Sequence, residues 1–433
     1  MSQYRNTFDI LDEILAKAGE PTNGNSPFET TALTYANRAH AEIIGGASIF
    51  NLEVAEPWVW ARSRYPMVLE LQPAVSDTAS FVSASTSFTF GNAPTTSLEG
   101  WHIQASGKST VYKITQHSAA STSAQLDSSF VDAGGSQGFR AFKLDYEVVP
   151  TYLYIDNYND RIDFQDGTAG TTHAAVLPHG SYSLQGFATQ IATSMQSAGL
   201  NTTYAGSYDA VLRQFSITSN TTFAMLGATG ANVRRSVLPT FGFDYLDATG
   251  SVGYTASYMP GRIARMIEPF KIFTGGTRQP FIHSSDPIRM QEDFPLHLTR
   301  ERIPDRFIRL TEDKDGAVWV RFNGFPDQLT KVQIDWIPTP LDLQDNTAST
   351  VLLPRQDVET LIHVAAARLL HDKEDSKFST ISDLAKAGLQ NMMKNNRLLL
   401  QRTGEWFAQI VPRQDYLHDE RNRLKYGYTA GNN

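Results

Sequence analysis

The stretch from Leu353 to Gln401 limits what this chain can become, because it reads as two consecutive helices with almost no connection. After Leu353-Pro354, the apolar residues Val358, Leu361, Ile362, Ala365, Leu369 and Leu370 recur at the spacing of one helical face. Pro354 takes the first helical position in this reading, where its missing N–H is harmless. A charged interval, His371 to Lys377, interrupts the pattern. It resumes through Phe378, Ile381, Leu384, Ala385, Leu389, Met392, Met393, Leu399 and Leu400. Unbroken, the second helix has about 25 residues and runs roughly 37 Å. So short a joint gives an antiparallel hairpin or one kinked rod. Neither helix holds a chemical motif, so both read as packing elements.

What they pack against is suggested by the other end of the chain. Phe8, Ile10, Leu11, Ile14, Leu15 and Ala18 predict a short helix closed by Gly19. A second runs from about Phe28 to Ile44 and stops at Gly45-Gly46. Terminal helices separated by about 300 residues are expected to form one bundle, with Leu361 and Leu384 buried against the N-terminal pair. Between Pro57 and Trp60, two tryptophans share one side of an extended segment and read as core plugs. Met67 to Leu71 follows as a strand, stopped by Pro73.

Composition then shifts. From Val75 to Gly135 the charged residues are Asp77, Glu99, Lys108, Lys113, Asp127 and Asp132, amid serine, threonine and alanine. Alternating runs such as Ser87–Phe90 and Val111–Ile114 predict half-buried strands. A small barrel or sandwich is expected, with Trp101, Tyr112, Phe130, Phe139 and Phe142 as its core. Residues 151–262 read as a separate α/β insertion. Its strands are Tyr152–Ile155 and Arg161–Phe164, its helix follows an N-cap at Ser183, and a hairpin turns around Asp209-Ala210. Its tail from Phe241 to Tyr254 reads as irregular. The ends of this insertion, near Pro150 and Arg262, should lie close together. Strands return at Glu268–Phe270, Arg306–Leu310, Ala317–Phe322 and Lys331–Ile337, with Asp315-Gly316 as a hairpin turn.

The fold class expected is therefore α+β: a helical bundle from the N- and C-terminal helices, a β-barrel-like middle and an inserted small α/β domain. The segments are 1–72 (N-terminal helices), 73–150 (first β part), 151–262 (insertion), 263–345 (second β part), 346–403 (C-terminal helices) and 404–433 (tail).

The chain has 433 residues, no cysteine and a formal charge of −8. Without cysteine there is no disulfide scaffold, zinc–thiolate site or cysteine nucleophile. Asp9, Asp12 and Glu13 near the start do not suit a signal peptide, and no apolar run is long enough to span a membrane. An acidic chain is a poor general nucleic-acid binder. Phosphate-loop, zincin, nucleophile-elbow and dinucleotide motifs are absent from the sequence. Asp156 to Asp160 fails the calcium-loop pattern, because Tyr158 stands where an oxygen ligand belongs and Arg161 where glycine does. His363 and His371 are too far apart on a helix for a metal pair. His371-Asp372 beside Glu374-Asp375 reads as a solvated junction rather than an acid–base cluster. Asn201 to Thr203 matches a glycosylation acceptor with nothing else to suggest secretion. No catalytic residue, cofactor or metal site is expected.

Three stretches, in order, resemble the head-to-tail adaptor (connector-ring, tail tubular) proteins of tailed phages. The first is Ala32-Leu33-Thr34-Tyr35-Ala36-Asn37-Arg38-Ala39 through Ile44, with Trp58 and Trp60. The second runs from Trp101-His102-Ile103 through Val111–Ile114 and Gln125–Asp127 to Asp145–Pro150. The third is Trp319–Phe322, Val332–Pro338, Leu341 and Leu353-Pro354, leading into the paired helices. The order, rather than any single motif, carries the resemblance. Residues 151–262 depart from the compact family pattern and resemble a small insertion module of phage virion proteins. The resemblance implies a structural virion protein, not an enzyme. About twelve copies would form a ring, assembled in the bacterial host cytoplasm and placed at the virion's head–tail interface. Its partners would be the portal protein and a tail or nozzle protein, with no membrane. Genomic DNA would pass through the lumen unbound. Twelve copies at −8 each carry about −96, and like-charge repulsion would keep DNA moving. The alternatives are another virion attachment protein (baseplate, fibre-attachment or decoration) and a glycan-binding or glycan-cleaving tail protein.

The last segment reads as a docking arm. Trp406, Phe407, Tyr416, Tyr426 and Tyr428 alternate with Arg413, Arg421 and Arg423, the residue types that dominate binding hot spots. These eight are the candidate partner-binding residues.

Overall fold

A computed structural model describes residues 6–403 apart from 23, 25, 55, 167–170, 200–202, 274–280, 287, 289, 291–300, 313–316, 347–348 and 350. The protein is mixed α+β and mostly strand. In chain order come helices α1 (Thr7–Lys17) and α2 (Glu29–Gly45), strand β1 (Met67–Leu71), and strands β2 (Val75–Phe81), β3 (Ser87–Phe90), β4 (His102–Ala105), β5 (Val111–His117), β6 (Ser123–Leu126) and β7 (Gly135–Phe142). Next are β8 (Asp145–Val148), β9 (Tyr152–Ile155), β10 (Arg161–Asp166), β11 (Thr171–Val176), β12 (Gly180–Ser183), α3 (Leu184–Ala198), β13 (Tyr204–Asp209), β14 (Gln214–Leu226) and β15 (Asp247–Thr255). The chain continues with β16 (Ile263–Phe273), β17 (Phe281–Ser284), β18 (Arg306–Glu312), β19 (Val318–Phe322) and β20 (Thr330–Pro338), then α4 (Val358–Asp372) and α5 (Phe378–Thr403). Two compact units result, one from residues up to Arg62 and from Asp342 onward, the other from Ser63–Leu341.

In the first unit, helices from both ends of the chain pack together. The Asn6 side chain caps α1 by accepting from Asp9 N–H at 2.9 Å, satisfying one of the free donors of a helix start. Ile10, Leu11, Ile14 and Leu15 are buried on one face of α1, and Ala32, Ala36, Ala39, Ile43 and Ile44 on one face of α2. Helix α4 is different. Leu361, Ile362, Val364, Ala365, Ala366, Ala367, Leu369 and Leu370 are all buried, so it is covered around its whole circumference. Helix α5 folds back along it. A Cβ on Gly388 would come within 2.5 Å of Thr360 Oγ1, so the two helices approach more closely there than any larger residue permits. The five-residue joint makes an antiparallel hairpin, not a kinked rod.

Polar bonds across about 300 residues of sequence fasten the same unit. Asn37 grips Leu343 twice, donating to its carbonyl at 3.2 Å and accepting its N–H at 2.6 Å. Asn396 does the same for the loop before the first residues of a 3₁₀ turn, donating to Pro57 O at 3.0 Å and accepting from Val59 N–H at 2.9 Å. Trp58 Nε1 donates to Ile43 O at 2.5 Å. Arg368 pairs with Glu42, and Lys373 with Glu20.

Three expectations for this unit need correction. Leu384 is 47% exposed, because the face of α5 turned inward carries Ala385, Leu389, Met392, Asn396 and Leu400. The Trp58–Trp60 segment is a 3₁₀ turn over Val59–Ala61, not extended chain, and only Trp58 is fully buried, with Trp60 stacked on it at 5.5 Å. Pro354 precedes a 3₁₀ turn, Arg355–Asp357, so α4 starts later, at Val358.

The second unit holds several cores. Strands β2-β3-β6-β5-β4-β7 close into a six-stranded barrel in which every pairing is antiparallel. The inside is aromatic: Phe81, Phe88, Phe90, Trp101, Tyr112, Phe130 and Phe139. Phe142 lies outside this core and packs instead with Leu144 and Phe325, stacked on the latter at 4.6 Å. A seven-stranded sheet follows the order β1-β20-β16-β17-β18-β19-β8. It joins chain segments from before, after and far beyond the barrel around Met67, Leu71, Val148, Phe270, Phe307 and Phe322. Pro269 falls where the register of β16 against β20 shifts, a place where a strand tolerates proline. The edge strand β1 does not offer all its backbone to solvent. Val68 O accepts from Thr151 Oγ1 at 2.6 Å, and Gln72 N–H donates to Tyr146 Oη at 2.9 Å.

Residues 153–256 share a core of their own, with Phe164, Phe187, Ile191, Met195, Phe215 and Phe241 at its centre. Ser183 caps α3 through Gly186 N–H at 3.2 Å. Strand β14 is the spine, paired with β13 and β10 on one side and with β15 on the other. The stretch expected to be irregular thus contains β15. At the register shift between β14 and β15, Tyr254 Oη accepts Ser251 N–H and donates to Phe223 O, and Ser251 Oγ both accepts Gly253 N–H and donates to Gly253 O. The chain leaves β8 at Pro150 and returns at Gly261. These positions touch, since a Cβ on Gly261, at φ +68°, would lie 2.6 Å from Pro150 Cγ.

Leu361→Ala should lower stability by about 2–5 kcal/mol, whereas Leu384→Ala should stay within about 0.5 kcal/mol of wild type. Chemical denaturation of the two variants checks this. A second outcome concerns His40 on α2. Its Nε2 accepts Leu352 N–H at 2.9 Å, and burial pushes its pKa down to about 4 from 6.5. Between those values the unfolded chain binds a proton that the folded chain refuses. Stability is therefore full above pH 6.5 and falls as pH drops towards 4, by about 3 kcal/mol from this group. The stability gap between wild type and His40→Gln should narrow over that window.

Candidate functional site

The eight tail residues Trp406, Phe407, Arg413, Tyr416, Arg421, Arg423, Tyr426 and Tyr428 lie outside the described residues, as do Asn201 and the Asp315-Gly316 turn. Among the described residues, one concavity is an aromatic cleft of about 340 Å³ in the β unit. Its walls come from the segment before β1, the end of β20, strand β9 with the loop after it, and residues 239–242 and 258–262. It forms where the chain passes into and out of residues 151–262.

Alternation in β9 builds one wall. Leu153 and Ile155 point into the core, so Tyr152 and Tyr154 face outward. Tyr65 lies flat on Tyr154, with ring centroids 4.2 Å apart and planes 11° from parallel. Trp336 Nε1 donates to Tyr65 O at 3.0 Å, holding this backbone against β20. Asp156 receives Arg64 Nη1 at 2.6 Å and Tyr65 Oη at 3.3 Å. Burial, then the Asp156 carboxylate, raise the Tyr65 phenol above its usual range, so it remains a donor. Two arginines lie over tyrosine rings at the margin: Arg64 over Tyr158 at 4.0 Å and Arg262 over Tyr258 at 5.1 Å. Arg64 is paired to Asp156, whereas Arg262 meets no carboxylate among the described residues. Its lining brings tyrosine hydroxyls, two guanidiniums and the Asp156 carboxylate to one place.

The aspartates of the 156–160 loop serve different partners. Asp160 is buried and held by Arg235 at 3.0 and 2.6 Å and by His179 at 3.2 Å. Burial alone would raise its pKa, but these bonds bring it below the usual carboxylate range. Among the described residues no group of three or more histidines and acids is placed to hold a metal ion, and no helix is long and apolar enough to cross a membrane. His363 faces Glu359 at 3.5 Å, while His371 is exposed beside Asp372 at 3.7 Å. Asp372 also accepts from Tyr35, and Asp375 accepts Lys377 N–H at 2.8 Å, so both are engaged in bonds within the helical unit.

One buried ion pair ties β8 to β19. Asp145 receives Arg321 through Nε at 2.6 Å and Nη2 at 2.9 Å. Burial works against the Asp145 charge, yet the bidentate guanidinium holds the carboxyl below its ordinary pKa. The barrel's His102 lies in the field of this pair, and burial lowers its pKa to about 4.

Compared with family models and with curated proteins, the chain matches none.

The cleft residues escaped sequence reasoning because Ser63–Pro66 has no periodicity and Tyr65, Tyr154, Arg262 and Trp336 are spread over more than 270 positions. The alternation Tyr152-Leu153-Tyr154-Ile155 was the available signal: two outward tyrosines on a strand. Arg321→Gln should cost about 2–3 kcal/mol, since it leaves the Asp145 carboxylate buried and underbonded. Urea melts at pH 7 check this.

Proposed function

We propose that this chain is a structural virion protein of a tailed phage, a head-to-tail adaptor whose copies form a ring joining portal to tail. The observation that carries the reading is the gathering of helices from both chain ends into one compact unit while Ser63–Leu341 forms another. In this reading α1, α2, α4 and α5 are the adaptor bundle. The barrel and the seven-stranded sheet are its β part, and residues 151–262 are an inserted α/β module hung from the Pro150–Gly261 contact. The net charge of −8 per copy suits a lumen that lets DNA slide by without sticking. The protein's work is then positional, not catalytic. Residues 404–433 reach the portal or a neighbouring copy.

Mass in solution tests this directly. The protein alone should be monomeric or weakly associating, and should form a ring of about twelve copies only with its portal. Removing residues 405–433 should leave the melting temperature nearly unchanged and abolish assembly on the portal. A protein that never rings with the portal, or a deletion that assembles as well as the full chain, overturns the reading.

A further inference from the structure

The chemistry of the aromatic cleft points to a ligand. We propose that it binds an acidic saccharide, one hexuronic-acid unit at a time. The proposal stands independently of the adaptor reading.

Three observations select this class. The walls are flat rings that carry hydroxyls, above all the Tyr65–Tyr154 stack. Such walls offer an apolar face to the C–H side of a sugar and hydrogen-bonding groups to its edge. The volume, about 340 Å³, holds one or two sugar rings rather than a long segment of chain. The charge is specific as well. Arg64 is neutralised by Asp156 at 2.6 Å, whereas the Arg262 guanidinium, held over Tyr258, meets no carboxylate among the described residues. One uncompensated positive charge beside apolar walls complements one carboxylate.

The same facts count against other occupants. A peptide strand would need open backbone along the neighbouring edge of the sheet, but the carbonyl of Val68 on β1 and the N–H of Gln72 just after it are already bonded. A nucleic-acid strand would need a row of cations to track its phosphates. Here one guanidinium is uncompensated, in a protein of net charge −8.

The test uses the full-length protein with a galacturonic-acid tetrasaccharide, its neutral glucose counterpart, a tetraglutamate peptide and adenosine monophosphate. Saturation-transfer NMR and calorimetry read the binding. The uronate should bind with a Kd on the order of 1 mM, at least tenfold tighter than the neutral sugar, and should weaken as salt rises. Arg262→Gln should remove that preference and Arg262→Lys should keep part of it. Tyr154→Ala should abolish binding of both sugars. If Tyr154→Ala melts early, the two Arg262 variants, at the margin of the cleft, decide. The proposal is overturned by any of four results. These are no uronate binding at about 10 mM, equal binding of the neutral sugar, tighter binding of the peptide or nucleotide, or uronate binding unchanged in Arg262→Gln.

Discussion

Burial of α4 on every side is the constraint on which the helical unit depends. Between Leu361 and Leu370, Ala365, Ala366 and Ala367 in succession leave this helix no broad polar face, and its exposed polar side chains, Glu359, His371 and Asp372, stand at its ends. It must be enclosed, and the neighbours available to enclose it come from both ends of the chain. The small side chains also set distances. Alanines on α2 and Gly388 on α5 let backbones approach closely, which dispersion rewards and which any larger residue would forbid. The polar bonds then fix register. Asn37 and Asn396 each use both ends of a side-chain amide on one short stretch of backbone, so a slip of one residue would break two bonds at once.

Local signals were legible where structure is local. The stop of α2 at Gly46 and the start of α3 at Ser183 were readable, each a residue whose chemistry favours a helix end. The charge-poor alternation of residues 75–135 was readable as half-buried strands of a barrel or sandwich, because either needs apolar residues at every second position; which of the two depends on strand closure, which alternation does not encode. What was not legible depends on partners distant in sequence. Leu384 continues the apolar spacing of α5, yet the inward face is set by where α4 lies, and that face runs through Ala385. Phe142 looks like one more barrel aromatic until Phe325, 183 residues later, takes it away. Strand β15 is interrupted by Gly250 and Gly253, which hide its Val252 and Tyr254 from a reading by alternation, and it forms along the side of β14 that β10 and β13 leave open. The cleft was invisible for the same reason: its residues converge only when β1, β9 and β20 are placed.

The β unit illustrates a division of labour. Its barrel has no free edge to guard with charges, and its outside can be serine and threonine. The seven-stranded sheet has edges, and ionic bonds cluster there instead: Asp145 with Arg321, and Arg213 with Glu147 at 2.6 Å on β8.

The bonds along β1 have a consequence for what can be added to its sheet. Where Val68 O, and the N–H of Gln72 just past the strand, are already bonded, the edge is a poorer template for a strand from another molecule. Contacts at that edge then fall to side chains, which can be released and remade.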